Sequence, residues 1–271
     1  MLESKLDEQR MNKSDEALSR ARDTTIRLAA ESERRIAKAV RVPTGIRGLD
    51  AMIEGGFLLG RCVLIAGGPG AGKTIACGQF LHHGITRNER GIYISFDENR
   101  DHFYHEMAQF NWNFEQLEQE AAFRFLDASP QSDEETDNHH SLTQIIKSFD
   151  RLISDLNAAR VVVDGLAALS FEFPDAVERR RAFLRLIQTF RSSNVTSLLT
   201  SEIRTSALDR PIQVEEYLAD GTIVMQNLLI NRTLTRTIQI EKMRGTLVDG
   251  ELRPYQVDSS GIVVFNKEKI I

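Results

Sequence analysis

The stretch Gly67-Gly68-Pro69-Gly70-Ala71-Gly72-Lys73-Thr74 matches the pattern G-x-x-x-x-G-K-[ST] at every fixed position. The run before it, Arg61 to Ala66, is short and apolar, which predicts a buried strand. The run after it, Ile75 to Gly84, can continue as a helix. A glycine-rich loop between a strand and a helix is the setting that the pattern requires. We therefore expect an α/β fold in which this loop opens a helix.

The residues of this loop suit the binding of phosphate groups. Its glycines let the backbone turn so that successive N–H groups face an anion at a helix N-terminus. Lys73 would bring a positive charge to the β- and γ-phosphates, and Thr74 would bring a hydroxyl for Mg²⁺. The sequence thus predicts that residues 68–74 hold a nucleoside triphosphate.

Length and composition fit one α/β domain in the cytoplasm. The chain has 271 residues and a formal net charge of -5, from 34 basic and 39 acidic residues. No global positive field would attract nucleic acid or an anionic membrane. No apolar run approaches the ~20 residues that span a bilayer, and the charged N-terminus lacks a secretory signal core. Cys62 and Cys77 fall in a predicted strand and helix, so we expect buried thiols.

The first 40 residues differ in character from the rest. They are rich in charged side chains, and their apolar residues are too sparse for a heptad seam. We expect residues 1–40 to be a charged extension, helical or disordered, and residues 41–271 to form the folded domain. At its start, Thr44 is predicted to cap a short helix that carries Leu49, Met52 and Ile53 and is ended by the pair Gly55-Gly56.

Strands and helices alternate through most of the domain. Further strands are predicted at Gly91 to Phe96, Ala122 to Asp127, Val161 to Asp164 and Val195 to Ser201, with amphipathic helices between them. This alternation predicts a mostly parallel central sheet with helices on both faces. After Asp220 it stops, and an antiparallel hairpin extension is expected from strands at Thr222 to Asn231, Leu234 to Met243, Tyr255 to Asp258 and Gly261 to Phe265.

Acidic side chains follow several of the predicted strands. Asp97 and Glu98 come after the second strand of the alternating part, Asp164 ends an all-valine strand, and Glu202 ends a later one. Ligands of parallel α/β sheets lie beyond the carboxyl ends of the strands. We therefore expect these carboxylates to lie near the loop at Gly67.

With these motifs placed, the chain from about Val42 to Phe265 resembles the KaiC family of RecA-superfamily ATPases. The pieces that carry the resemblance are P-T-G-I-R-G-L-D (43–50), the loop 67–74, S-F-D-E-N (95–99), F-L-D-A-S-P (125–130), V-V-V-D-G-L-A-A-L (161–169), L-L-T-S-E (198–202), E-E-Y-L-A-D (215–220) and K-M-R-G-T (242–246). The resemblance implies a RecA-like P-loop NTPase fold and head-to-tail hexameric rings with ATP and Mg²⁺ bound between subunits.

The resemblance also implies roles for single residues. Asp164 matches the Walker B aspartate that holds Mg²⁺ with Thr74. Asp97 and Glu98 match a pair of carboxylates of which one deprotonates the attacking water. The family usually has glutamate at both positions, so alignment points to Asp97 as the base whereas side-chain reach favours Glu98.

Two further segments resemble parts of the site that surround the γ-phosphate. Lys242 and Arg244 match the segment that reaches the γ-phosphate in the next subunit, where a fixed cation stabilises the charge of the transition state. Ser201, with Thr200 and Glu202, resembles a sensor segment beside the same phosphate.

Two departures from the two-domain clock members shape the functional expectation. This chain has one phosphate loop and one K-M-R-G-T segment, which predicts a single-domain relative. Where the phosphorylated domain of those proteins carries adjacent Ser and Thr residues, this chain has Glu215-Glu216-Tyr217-Leu218-Ala219. It therefore resembles the ATPase-only first domain, and autokinase activity is not expected.

The leading hypothesis is a slow, Mg²⁺-dependent regulatory ATPase that forms a homohexamer and signals its nucleotide state to an unknown protein partner. A second hypothesis is a DNA-dependent recombinase or motor, because RecA relatives often act on single strands. The negative charge and the lack of a basic loop interleaved with aromatics speak against it. A third is a nucleotide-gated scaffold with little hydrolysis, which the shorter side chain of Asp97 permits.

Overall fold

The computed structural model describes residues 40–128, 142–167, 175–203, 213–230 and 232–270. The chain divides into two compact units, Met1–Val40 and Arg41–Ile271, and the second unit contains the phosphate loop and the other motifs. The predicted charged extension lies outside the described residues up to position 39.

The strands of this unit are eleven among the described residues. In chain order they are β1 (Arg41–Val42), β2 (Phe57–Leu58), β3 (Cys62–Gly67), β4 (Gly91–Ser95), β5 (Phe123–Asp127), β6 (Arg160–Asp164), β7 (Thr196–Glu202), β8 (Gly221–Ile230), β9 (Thr233–Met243), β10 (Arg253–Asp258) and β11 (Gly261–Val264). Each strand predicted from Arg61 onward is present, with ends within two residues of the predicted ones.

The described helices are α1 (Leu49–Met52), α2 (Lys73–Ile85), α3 (Arg100–Ala108), α4 (Phe114–Gln119), α5 (Leu142–Leu156), α6 (Ala176–Ser192) and α7 (Val214–Leu218). Local side chains cap some of them, as expected at helix N-termini. The Asn99 side chain accepts the His102 N–H at the start of α3, and Asp175 accepts two N–H groups at the start of α6. No described helix is both long and apolar enough to cross a membrane.

Nine strands form one sheet in the order β11-β10-β9-β8-β3-β7-β6-β4-β5. The six strands β8, β3, β7, β6, β4 and β5 are parallel to one another. Strand β9 pairs with β8 in antiparallel fashion, and β10 and β11 continue the antiparallel part. The predicted sheet, mostly parallel with an antiparallel hairpin extension, is confirmed. The phosphate loop follows β3, which lies inside the sheet between β8 and β7.

Helices cover both faces of the sheet, as predicted. On one face α2, α3 and α4 pack on strand residues such as Val63 and Val162, and on the other α5 and α6 pack on Leu64 and Val163. The alternation of these odd and even positions is the two-residue period of a strand. Because β6 is buried on both faces, its all-valine centre suits a central parallel strand.

The prediction for Thr44 is wrong. Gly48 occupies the N-cap position of α1 with φ 86°, and no side chain caps the helix there. Thr44 is instead fully buried and donates its hydroxyl to the carboxylate of Asp50 at 2.7 Å. A tertiary contact thus replaces the local cap, and α1 ends at Met52, three residues before Gly55.

Candidate functional site

The phosphate loop joins β3 to α2, with Lys73 as the first residue of the helix. Gly72 has φ 81° in the left-handed region, which a residue with a side chain rarely adopts, and it directly precedes the helix. The free N–H groups at the start of α2 therefore face the space above the loop, as an anion site needs.

Contacts within the loop and from β10 fix the loop. The Lys73 ammonium donates to the carbonyl oxygens of Gly67 at 2.9 Å and of Gly68 at 3.2 Å, so its charge lies over the loop. The Tyr255 hydroxyl of β10 donates to the carbonyl of Ala71. The hairpin extension thus supports the loop from the side, a role that the sequence did not reveal.

Asp164, at the carboxyl end of β6, collects three hydroxyl groups. Thr74 donates to its Oδ2 at 3.1 Å, Tyr93 of β4 donates to the same oxygen, and Thr200 of β7 donates to Oδ1. Asp164 is buried. Carboxylate and hydroxyl oxygens are the ligands that Mg²⁺ prefers, so Asp164 and Thr74 fit this ion. The predicted pairing of these two residues is present in the geometry.

Asp97 lies beside this group. Its carboxylate packs over Gly165, where an added Cβ would lie 2.3 Å from Oδ2 and where φ 89° also disfavours a side chain. Burial raises the pKa of Asp97, and the neighbouring carboxylates Asp164 and Glu202 raise it further, against the opposing charge of Lys73. A carboxylate with a raised pKa, next to the place where phosphates would bind, is suited to accept a proton from water.

Glu98 has different surroundings, although it is the next residue. Its N–H donates to the Ser95 hydroxyl at 2.8 Å, and its side chain lies 3.6 Å from His102 of α3. Burial, followed by the charges of Glu106 and Asp164, raises the pKa of Glu98 to about 7. The two carboxylates therefore have different neighbours: Asp97 lies over Gly165 after β6, and Glu98 lies toward α3.

The segment at the end of β7 that resembles a sensor, Thr200 to Glu202, is also close to the site. Thr200 joins β7 to β6, because its hydroxyl accepts the Gly165 N–H at 2.9 Å and donates to Asp164. Ser201 faces another way and donates to the side-chain oxygen of Gln213 at 2.9 Å. Ser201 is therefore linked to the start of α7, and Thr200 is the member of the segment that contacts Asp164.

Lys242 and Arg244 are not brought to the phosphate loop of their own chain. Lys242, one residue before the end of β9, lies opposite Thr222, which pairs with Leu64 near the amino end of β3. The Arg244 N–H donates to Asp220, whose own N–H donates to Cys62. The loop follows Gly67, five residues farther along β3, a separation of roughly 16 Å at strand geometry. These two cations thus lie at the amino ends of the parallel strands, whereas the phosphate loop lies at their carboxyl ends. These two sides of the sheet are called its amino edge and its carboxyl edge.

Three contributors to the site were missed from the sequence. A tyrosine inside a buried strand needs a partner for its hydroxyl, and this signal could have identified Tyr93. Tyr255 and Gln213 carry no comparable signal, because their partners, Ala71 and Ser201, are 184 and 12 residues away in sequence.

Comparison with known proteins agrees with this geometry. A family model described as "ATPase: KaiC" matches residues 42–269. The circadian clock protein KaiC3 of Synechocystis sp. is 33% identical over 228 residues, which cover 83% of this chain and 45% of that protein. The circadian clock oscillator protein KaiC of Prochlorococcus marinus is 33% identical over 233 residues, with 83% of this chain and 46% of that protein covered. The chain thus spans about half the length of these relatives.

A solved structure is similar over nearly its whole length. It is a KaiC-like protein from the archaeon Pyrococcus horikoshii, with a TM-score of 0.74 and 31% identity, and the match covers 84% of this chain and 99% of that one. The fold, the phosphate loop with its clustered carboxylates and the family match lead to one conclusion. This chain belongs to the KaiC family of ATPases.

Proposed function

We propose that this chain binds ATP with Mg²⁺ at residues 68–74 and hydrolyses it slowly in a homohexameric ring, each site being completed by the neighbouring subunit. The observation that carries the proposal is the placement of Arg244 at the sheet edge opposite the phosphate loop of its own chain. A cation at one edge and a phosphate site at the other are complementary surfaces when two copies associate head to tail. Repetition of such a contact closes a ring if the rotation permits.

The residues at the loop edge supply the other parts. Lys73 would hold the β- and γ-phosphates, and Thr74 with Asp164 would hold Mg²⁺, which would supply positive charge to the phosphate oxygens. Asp97 accepts the proton of the attacking water, because it lies next to Asp164 and its pKa is raised. Arg244 of the neighbouring subunit stabilises the charge that develops on the transferred phosphoryl group.

The output of the proposed cycle is regulatory. The segment Glu215–Ala219 before Asp220 has no hydroxyl except that of Tyr217. ATP turnover would then change the conformation of the ring rather than phosphorylate this segment. A partner protein would respond to the nucleotide state of the ring in the cytoplasm.

The first test is the mass of the purified chain in solution with ATP, with ADP and without nucleotide, together with ATP turnover. We expect a mass of six chains with ATP and turnover that requires Mg²⁺. Lys73→Ala should abolish ATP binding and turnover at its own site, because the phosphates lose their main positive partner. Unchanged ATP affinity in Lys73→Ala, or a monomer at every nucleotide state, would refute the proposal.

A further inference from the structure

The short helix α7 lies between the two functional edges of the sheet. It follows Gln213, which contacts the end of β7, and it precedes Asp220, whose N–H donates to Cys62 at the start of β3. It therefore begins beside the sensor segment and ends beside Arg244, the residue proposed to reach the neighbouring subunit. Its interior carries two buried acidic side chains, Glu215 and Glu216.

Gln213 fixes the first end of α7 to the phosphate edge. Its side-chain oxygen accepts the Ser201 hydroxyl at 2.9 Å, and its side-chain nitrogen donates to the carbonyl of Glu202 at 3.0 Å. Its backbone N–H donates to the Glu216 carboxylate at 2.9 Å. Both polar atoms of one amide thus hold the sensor segment, and its backbone holds the helix.

Lys242 fixes the other end. Its ammonium donates to the carbonyl oxygens of Glu216 at 2.9 Å, Tyr217 at 3.1 Å and Ala219 at 2.6 Å. A lysine ammonium has three donors, and all three are used here. These carbonyls belong to the end of a helix, where they lack partners within the helix and where a cation is favoured. Lys242 therefore has no donor left for a phosphate in this arrangement.

Arg244 is held much more loosely. Its guanidinium lies 3.7 Å from the Asp220 carboxylate, and its side chain is 52% exposed. Asp220 is itself buried and is held by Arg61 at 3.1 Å and Arg191 at 2.8 Å. Departure of Arg244 would thus leave Asp220 still paired with two arginines, so that Arg244 can leave without stranding a buried charge.

From these contacts we infer that α7 relays the nucleotide state of one subunit to the arginine that this subunit gives to its neighbour. Gln213 and Lys242 are positioning residues at the two ends of the relay, and Arg244 is the residue that reaches the neighbouring phosphate. The inference deepens the proposed function and rests on it, since it requires ATP at the loop beside Ser201. It revises the expected role of Lys242, which holds α7 instead of contacting the nucleotide.

The test is amide hydrogen exchange in a subunit whose Arg244 faces an empty site. An isotopically labelled subunit is mixed with an excess of Lys73→Ala subunits, so that its neighbours hold no nucleotide. Exchange is then compared in peptides covering 214–220 and 243–246, with a saturating non-hydrolysable ATP analogue and with ADP. The mass of the mixture must show the same mixed rings with both nucleotides, so that any difference passes through the labelled subunit itself.

In wild-type labelled subunits, the exchange rate of both peptides should differ by about fivefold or more between the ATP analogue and ADP. About fivefold is the lower end of the usual coupling between two sites. Gln213→Leu should remove the nucleotide-dependent difference in 243–246. Lys242→Met should speed exchange in α7 and should also remove the difference in 243–246. Tyr217→Phe is the matched control, because this side chain on the same helix is exposed. It should behave as the wild type.

Two results would overturn the relay. One is a nucleotide-dependent difference in 243–246 that persists in Gln213→Leu, or that is missing in the wild type. The other is unchanged α7 exchange in Lys242→Met although turnover is lost, which would return Lys242 to the nucleotide. If the chain binds ATP but stays monomeric, the two-chain site fails while the same exchange comparison still decides the relay. If ATP does not bind, both proposals fail.

Discussion

At the scale of the residue, two adjacent carboxylates have been given different surroundings. Asp97 packs over Gly165 beside Asp164 and Lys73, whereas Glu98 lies toward His102 and Glu106 of α3. Reach alone favoured Glu98 as the base because its side chain is longer. We propose Asp97 instead, because its carboxylate lies near Asp164 and Lys73, and position at the site matters more than the extra methylene.

Single substitutions should separate the two carboxylates. Asp97→Asn should keep ATP bound but lower turnover by about 10² to 10⁴, because an amide cannot accept the proton of water. Glu98→Gln should cost far less. Turnover and ATP affinity measured on both variants test this assignment, and a larger loss in Glu98→Gln than in Asp97→Asn would transfer the base to Glu98.

The raised pKa of Glu98 has a consequence for stability. Its pKa rises from an ordinary 4.5 to about 7 on folding, so the folded protein binds this proton more tightly than the unfolded chain. Stability contributed by the protonated form is therefore lost as the pH rises from about 4.5 to about 7. In thermal unfolding of the nucleotide-free protein, Glu98→Gln should show a smaller loss between pH 5 and pH 8 than the wild type. Equal losses would show that Glu98 is not titrating in this range.

Much of the site could be predicted at this scale because the motifs are local. The phosphate loop and Asp164 follow from contiguous patterns whose chemistry needs those residue types. Tyr93, Tyr255 and Gln213 could not be placed in the same way, because their roles depend on which strand lies beside which. The same holds for Lys242, whose three carbonyl partners lie on α7.

At the scale of the element, the alternation of strands and helices predicted the sheet, but not the order of its strands. Position 163, for example, is buried in β6 as expected, yet only the pairing of β6 with β7 and β4 brings Thr200 and Tyr93 to Asp164. At Thr44 a local rule failed: the residue was predicted to cap a helix, but its hydroxyl donates to the carboxylate of Asp50 instead. Pairing partners are set by long-range packing, which a single sequence does not display.

The contact between α2 and β6 predicts that alanine at position 84 destabilises the fold, the opposite of what helix propensity predicts. Gly84 of α2 lies against Arg160, and an added Cβ would lie 2.3 Å from Nε. Arg160 is fully buried and donates to the carbonyls of Pro43 at 2.9 Å and Phe80 at 2.8 Å, so it cannot move aside. Helix propensity alone would favour alanine by up to about 1 kcal/mol. We expect Gly84→Ala to destabilise the fold by about 1–3 kcal/mol instead.

Gly78→Ala in the same helix is the comparison for this prediction. Its added Cβ would lie 2.4 Å from Sδ of Met107, and a thioether chain adapts more easily than a hydrogen-bonded arginine. Urea unfolding of both variants should show the larger loss in Gly84→Ala. A higher free energy of unfolding in Gly84→Ala than in the wild type would contradict this prediction, because it would mean that Arg160 can move away from the added Cβ.

At the scale of the whole molecule, the two ends of the parallel strands carry the groups that we propose as complementary halves of one site. The carboxyl edge holds the phosphate loop, Asp164 and Asp97, and the amino edge holds Arg244 with Asp220. The family resemblance predicted that the two halves come from different chains. The fold supplies a physical reason, because the sheet itself separates them within a chain.

The measurement that tests this claim most directly is the ATPase activity of mixed subunits. Arg244→Ala should lose about 10³ to 10⁵ in turnover while it still binds ATP through its own loop. Lys73→Ala should be inactive but keeps its own Arg244. When the two inactive variants assemble together, some interfaces combine an intact loop from one chain with an intact Arg244 from the next. We predict that activity reappears on mixing; mixed rings that form, as shown by mass, yet stay as inactive as either variant would contradict a site built from two chains.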